Sequence, residues 1–257
     1  MLSFIKHKKR RGIIEYSIYF VLTFLLSTLF AIAGLGSAIA LVPLLNIFGL
    51  SFDIARATGL FVNFISTVTI SFLNFKKNLF EKSFVLPLIL SSMVMAYIGA
   101  KISLMVDKEI VKVIFGYTLL LLASMILFIK IKPKEESLGI NKKLLIVVGS
   151  IGGFFSGFLG IGGGSIIAPI LIFFGYDPKK IAIGISFVIP FSSIVAFGSY
   201  ASIIEIDFML LTIISIAAFL GGILGNYLLH FKVSAPTIKK LIAVVLYILA
   251  IKLILLS

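Results

Sequence analysis

Four glycines fall within five residues in the stretch GFLGIGGGSIIAPILIFFG, residues 157–175, where they are Gly160, Gly162, Gly163 and Gly164. A backbone without side chains can approach a ligand closely. A helix that restarts at Ser165 would present its first N–H groups, which attract anions together with the helix dipole. The stretch therefore predicts an anion-binding site built from backbone amides.

An earlier stretch, AGLGSAIALVPLLNIFGL at 33–50, matches LGIGGGSIIAPILIFFGY at 159–176 without a gap. In this earlier copy Gly34, Gly36 and Ser37 supply a second helix restart. Two such restarts facing each other would form one binding site between the two halves of the chain. Close helix packing is the alternative role for glycines in apolar segments, and it applies most readily to Gly153, Gly157, Gly221 and Gly225.

Polar side chains follow each glycine stretch at predicted membrane depth. The first group is Thr58, Asn63, Ser66 and Thr67, and the second is Ser186, Ser192 and Ser193 around Pro190. We expect these groups to line a pocket with the glycines, although hydroxyls also bond within or between helices. Proline has no N–H and should free a carbonyl in its helix.

Residues for catalysis or metal binding are sparse. The chain has no cysteine, and its two histidines, His7 and His230, lie beside basic end segments. The remaining charged residues fall near predicted helix ends, as interface anchors do, with Arg56 or Lys101 reaching inward as the alternative. The sequence predicts no catalytic residue, no metal site and no cofactor.

Composition places these residues in a membrane. The chain is 60% hydrophobic and 13% charged, with a mean hydropathy of +1.22, whereas a soluble domain has about 25% charged residues. Apolar runs such as 83–100 and 208–229 have the length of membrane-spanning helices. The net charge of +13 fits anionic lipid headgroups, so we expect the lipid bilayer rather than nucleic acid as partner.

The matched stretches are 126 residues apart, and the same offset pairs Phe61 with Phe187 and Gly99 with Gly225. We predict an all-α membrane protein of about eight transmembrane helices in two homologous repeats. The predicted units are 1–129 with a broken element at 13–50, a polar linker at 130–143, and 144–257 with a broken element at 144–175.

The broken elements follow from length. One helix over 13–50 would measure about 57 Å, against a hydrocarbon core of about 30 Å. The glycines must interrupt it, and we expect further helix breaks at Pro43, Pro169 and Pro190.

The distribution of Lys and Arg favours an even number of crossings per half with a cytoplasmic N-terminus, since it gives 13 basic residues inside and 9 outside. Inverted repeats with odd crossings remain the alternative, because carriers with broken helices often have them.

The glycine stretch, its degenerate copy and the segment FLGGILGNYLLHFKVSAPTIKKLIAVVLYILAIKLIL (219–255) resemble the TauE/SafE sulfite exporter family over nearly the whole chain. The family motif falls on Gly160, Gly162, Gly163, Gly164 and Pro169, with Gly34, Gly36 and Pro43 as counterparts. Ser37 and Ala38 replace two glycines in the first copy, so the halves need not contribute equally. The resemblance implies a secondary carrier in the cell membrane for sulfite or similar organosulfur anions.

We therefore expect a transporter of a small anionic substrate that exposes one central site alternately to the two sides of the membrane. A passive anion channel, or a carrier for a non-sulfur anion such as a carboxylate, is the alternative. A membrane enzyme fits poorly, and a purely structural role would leave the duplicated glycine breaks unexplained. The sequence leaves open whether the chain forms a homo-oligomer.

Overall fold

The computed structural model describes residues 12–32, 36–128, 140–229 and 235–255. These ranges fold into ten helices and contain no strand. The helices are α1 (Ile13–Ile32), α2 (Ala38–Ile47), α3 (Phe52–Lys76), α4 (Lys82–Met105), α5 (Lys108–Phe128), α6 (Lys142–Leu159), α7 (Gly164–Phe173), α8 (Pro178–Ala201), α9 (Phe208–Leu229) and α10 (Ala235–Leu255).

Six described helices, α3, α4, α5, α6, α8 and α9, are long and apolar enough to cross a membrane. This confirms the all-α class of a multi-spanning membrane protein. The count of about eight spanning helices stays a prediction, because α1 and α10 are not among these six.

The second broken element is interrupted at its glycines. Helix α6 ends at Leu159, and Gly160 and Gly162 then have φ angles of 77° and 74°. That left-handed conformation is open to glycine and costly for other residues. In the first half, α1 and α2 are likewise separate helices, but Gly34 lies outside the described residues.

The expected breaks at prolines are wrong. Pro43, Pro169 and Pro190 lie inside α2, α7 and α8, and none of these helices ends there. Proline removes one helical hydrogen bond, and these helices tolerate that loss. Between α6 and α7 the chain breaks at glycines instead, since only glycine enters the left-handed region cheaply.

Element bounds repeat along the chain with the spacing of the predicted duplication. Helix α7 begins and ends 126 residues after α2, and α8 and α9 begin 126 residues after α3 and α4. The repeat itself and the domain limits stay sequence predictions.

Two small-residue stripes create the closest helix pairs. A β-carbon on Gly153 or Gly157 of α6 would collide with the backbone of α4, and one on Gly221 or Gly225 of α9 would collide with the backbone of α1. These glycines therefore serve close packing. Helix α1 of the first half packs on α9 of the second half, and α6 of the second half packs on α4 of the first, so the two halves interlock.

Contacts also fix helix directions. Along α6, Gly149 meets Leu88 of α4 and Gly157 meets Ala96, so α4 and α6 are parallel. The pairs α1 with α9 and α4 with α8 are parallel by the same test, whereas α3 with α8 and α5 with α10 are antiparallel. Each long helix of the second half thus runs opposite to its counterpart in the first.

We name the two membrane faces by residues at helix ends. The Asp53 face holds the starts of α1, α3, α5 and α9. The Glu81 face holds the starts of α4, α6, α8 and α10. The expected even number of crossings is wrong, because α1 and α3 both start at the Asp53 face. The directions of the helices relative to one another are set by their packing, and a count of Lys and Arg does not record that packing.

Candidate functional site

Two half-length helices converge on the middle of the molecule from opposite faces. The end of α2 lies beside the first turns of α1 at the Asp53 face, where Tyr19 Oη donates to the carbonyl of Phe48 at 2.9 Å. The end of α7 lies at the Glu81 face, where the N–H of Asn141 donates to Tyr176 Oη at 3.2 Å. Ten residues span about 15 Å, half of the hydrocarbon core, so both helix starts lie near mid-membrane.

Asn63, halfway along α3, lies where the two glycine turns meet. A β-carbon on Gly36 would sit 2.5 Å from Asn63 Oδ1, and one on Gly162 would overlap Asn63 Nδ2. Asn63 is 1% exposed, and its Nδ2 reaches Ser193 Oγ on α8 at 3.5 Å. Glycine is required at both turns because this amide fills the space of a side chain.

The start of α7 carries unused donors. Its first backbone bonds run from Ile166 and Ile167 to the carbonyl of Gly163, so the described hydrogen bonds use the N–H of neither Gly164 nor Ser165. Such amides at a helix start are an anion-binding arrangement.

The start of α2 repeats this pattern, with Ala40 and Leu41 bonded to the carbonyl of Ser37. Among the described residues, Ser37 Oγ and Asn63 Oδ1 are buried side-chain atoms without a hydrogen-bond partner. Unsatisfied buried polar atoms are costly, and they are expected where a ligand or water completes a site.

The remaining predicted glycines pack against protein. A β-carbon on Gly163 would press on the carbonyl of Gly152 in α6, and one on Gly164 on the side chain of Ile189 in α8. Their absent side chains let α7 lie close to α6 and α8. Ser165 Oγ donates back into the glycine turn.

Of the hydroxyl residues predicted to line the pocket, Ser66 and Ser192 lie near the level of Asn63, whereas Thr58 and Ser186 do not. Ser66 Oγ donates to the carbonyl of Asn63 at 3.2 Å, and Ser192 Oγ bonds within its own helix at the buried level of Ser193. Thr58 is buried, but the described contacts do not bring it to Asn63.

Ser186 lies nearer the Glu81 face, in a contact that Pro190 creates. Proline cannot bond the carbonyl four residues before it, and that carbonyl belongs to Ser186. Ser71 Oγ of α3, which also lies 2.8 Å from the carbonyl of Thr67 in its own helix, donates to it instead. Asn74 Nδ2 donates to Ser186 Oγ at 3.0 Å. The carbonyl expected to be freed is thus used to join α3 to α8.

Arg56 is the residue whose role the sequence understated. Interface anchoring was the main expectation, yet its side chain is 0% exposed and pairs with Asp53. It also donates to Ser103 Oγ and, at 3.0 Å, to the carbonyl of Phe158. Its position one turn into α3 hides this burial from sequence patterns. Lys101, the other candidate, lies 5.8 Å from the ring of Tyr97 and is not fully buried.

The family described as "Sulfite exporter TauE/SafE" matches residues 19–253. The chain belongs to the TauE/SafE family. A protein of Methanocaldococcus jannaschii named a probable membrane transporter is 33% identical over 190 residues, covering 70% of each chain. No solved structure matches.

Membership makes this TauE/SafE chain a multi-pass membrane transporter. The matched range contains both glycine turns, Asn63 and Arg56. The candidate site therefore lies within the part of the chain that the family model matches.

Proposed function

We propose that this TauE/SafE protein is a secondary transporter that exports small anions, sulfite or organosulfonates, across the cell membrane. The observation that carries the proposal is the meeting of two half-helix starts at Asn63. The positive ends of both helix dipoles point toward this level from opposite faces. Broken helices with this arrangement hold anionic groups in carriers.

The proposed site binds through hydrogen-bond donors rather than through a fixed charge. Donors at hand are the N–H groups of Gly164 and Ser165, the hydroxyl of Ser37 and the amide of Asn63. A sulfite or sulfonate group offers three oxygens that accept such bonds. Weak, neutral binding suits a carrier, because the anion must also leave.

Alternating exposure follows from the opposite directions of α2 and α7. Each half-helix leads from the Asn63 level to a different face, so small movements of one against its neighbours would open one face at a time. A passive anion channel needs both routes open at once.

Export requires an orientation, and we infer that the Glu81 face is cytoplasmic. Among described residues this face carries Lys76, Lys77, Lys82, Lys142, Lys143, Lys179, Lys180 and Lys240. The Asp53 face carries Arg56, Lys101, Lys108, Lys112 and Lys252. The positive-inside rule then selects the Glu81 face. This orientation places the start of α1 outside the cell. It is opposite to the cytoplasmic N-terminus expected with an even number of crossings per half.

The test is counterflow of labelled sulfite in liposomes that contain the purified protein. We expect saturable exchange without single-channel current. Asn63→Asp should lower exchange on the order of tenfold, because a carboxylate in a poorly solvated site repels the anion. Asn141→Asp is the matched control, since it adds the same charge at the exposed N-cap of α6, where Asp caps as well as Asn.

Three outcomes would change the proposal. Single-channel current would favour the channel. Exchange of a carboxylate but not of sulfite would reassign the substrate. Full activity of Asn63→Asp would move the site away from this turn.

A further inference from the structure

Arg56 and Asp53 form a buried ion pair between the Asn63 level and the Asp53 face. Arg56 precedes Asn63 by seven residues, about 10 Å along α3. The guanidinium lies 4.6 Å from the ring centre of Phe52 and 4.9 Å from that of Tyr200. The pair thus lies between the proposed site and this face.

The guanidinium joins four helices at this level. It contacts Asp53 on its own helix α3, Ser103 on α4, the carbonyl of Phe158 on α6 and the ring of Tyr200 on α8. Its stem also supports the second glycine turn, because a β-carbon on Gly160 would collide with the Arg56 side chain. A movement of the turn must therefore move Arg56.

Toward the Glu81 face, the helices around the Asn63 site are joined by neutral hydrogen bonds rather than by an ion pair. There α3 and α8 meet through the neutral bonds of Ser71 and Asn74 to Ser186. Beyond them a cleft of about 490 Å³ reaches Gly184 between α4, α8 and the loop at Asn78. The two sides of the site are therefore closed by different chemistry.

Asp53 has a second partner that permits release. Lys108, at the start of α5 and 60% exposed on its side chain, also pairs with Asp53. Arg56 Nε has no hydrogen-bond partner among the described residues. Asp53 can thus stay paired with Lys108 when the guanidinium turns away.

We propose that the Asp53–Arg56 pair is a latch that closes the Asn63 site toward the Asp53 face and must open for transport through that face. The role of the latch in transport rests on the proposed function, whereas the closure of the Asn63 site toward the Asp53 face can be tested without it. Removing one partner of a buried ion pair weakens the closed contact strongly, so Asp53→Asn should open this route.

Single-cysteine labelling tests the latch, because the chain has no cysteine of its own. The reporter is Leu60→Cys, 0% exposed and one turn beyond Arg56 toward Asn63. A membrane-impermeant thiol reagent is applied from each face in oriented vesicles. Asp53→Asn should raise reporter modification from the Asp53 face on the order of tenfold or more, as loss of a buried partner implies.

Three controls accompany the reporter. Asp53→Glu keeps the carboxylate and should leave the reporter closed. Glu109→Gln removes the exposed Lys112–Glu109 pair on the same face and should change nothing. A second reporter, Leu119→Cys, lies buried in α5 away from this route and should stay unreactive throughout.

An unreactive Leu60→Cys in the Asp53→Asn protein would overturn the latch, as would modification from the Glu81 face alone. Equal exposure of Leu119→Cys would assign the effect to general loosening and also overturn it. An added alkylsulfonate, which does not consume thiol reagents as sulfite does, tests the proposed function separately. Opening of the reporter without protection by the sulfonate supports the latch and counts against organosulfonates as the substrate.

Discussion

At the scale of single residues, the site depends on what glycine leaves out. Asn63 is held between Gly36 and Gly162, and its amide occupies the volume of both missing β-carbons. Gly162 also has a positive φ angle, so its substitution would be strained even with free space. The requirement at this position is therefore steric and conformational together.

Gly162→Ala should lower the free energy of unfolding by at least about 1–2 kcal/mol, the cost of a left-handed alanine, with overlap at Asn63 adding to it. The measurement is thermal unfolding of the detergent-solubilised protein. Gly198→Ala is the matched control, because Gly198 is helical and its β-carbon would meet nothing within 4 Å. Equal stability of the two variants would contradict the close approach.

At the scale of helices, polar atoms inside the membrane must find partners. Helix α8 contains a proline without breaking, because the carbonyl that Pro190 leaves free accepts from Ser71 of α3. The proline thus creates a specific link between two helices. A break at Pro190 would have left the same carbonyl unsatisfied in hydrocarbon.

Ser71→Ala should cost about 1–3 kcal/mol of unfolding free energy, since it leaves the Ser186 carbonyl without a partner. In a Pro190→Ala background the cost should fall by about 1 kcal/mol or more, because that substitution restores a backbone N–H that can donate to the same carbonyl. A double-mutant cycle by unfolding measures the difference. Purely additive costs would show that Ser71 does not serve this carbonyl.

At the scale of the whole molecule, opposite helix directions in the two halves set the two faces. Helix α1 packs in parallel on α9, and α6 packs in parallel on α4. Glu109, in the first turn of α5, and Glu205, in the loop before α9, therefore lie on one face, whereas parallel repeats would place them on opposite sides. Among the described residues, lysines concentrate on the other face.

Cysteines at Glu109 and Glu205 should both react with an impermeant thiol reagent added to intact cells. A cysteine at Lys142, on the Glu81 face, should react only after permeabilisation. Reaction of only one of the cysteines at Glu109 and Glu205 in intact cells would contradict the helix directions. Reaction of Lys142→Cys alone would keep the directions and reverse the orientation.

The sequence by itself determined the membrane class, the family resemblance, the 126-residue spacing and the interruption at residues 160–163. These features follow from local composition and backbone freedom, which a linear pattern records. Tertiary structure alone decided that both turns meet at Asn63, that Arg56 is buried with Asp53, and that the halves run in opposite directions. Those outcomes depend on which helix faces pack together, and residues far apart in the chain set that packing.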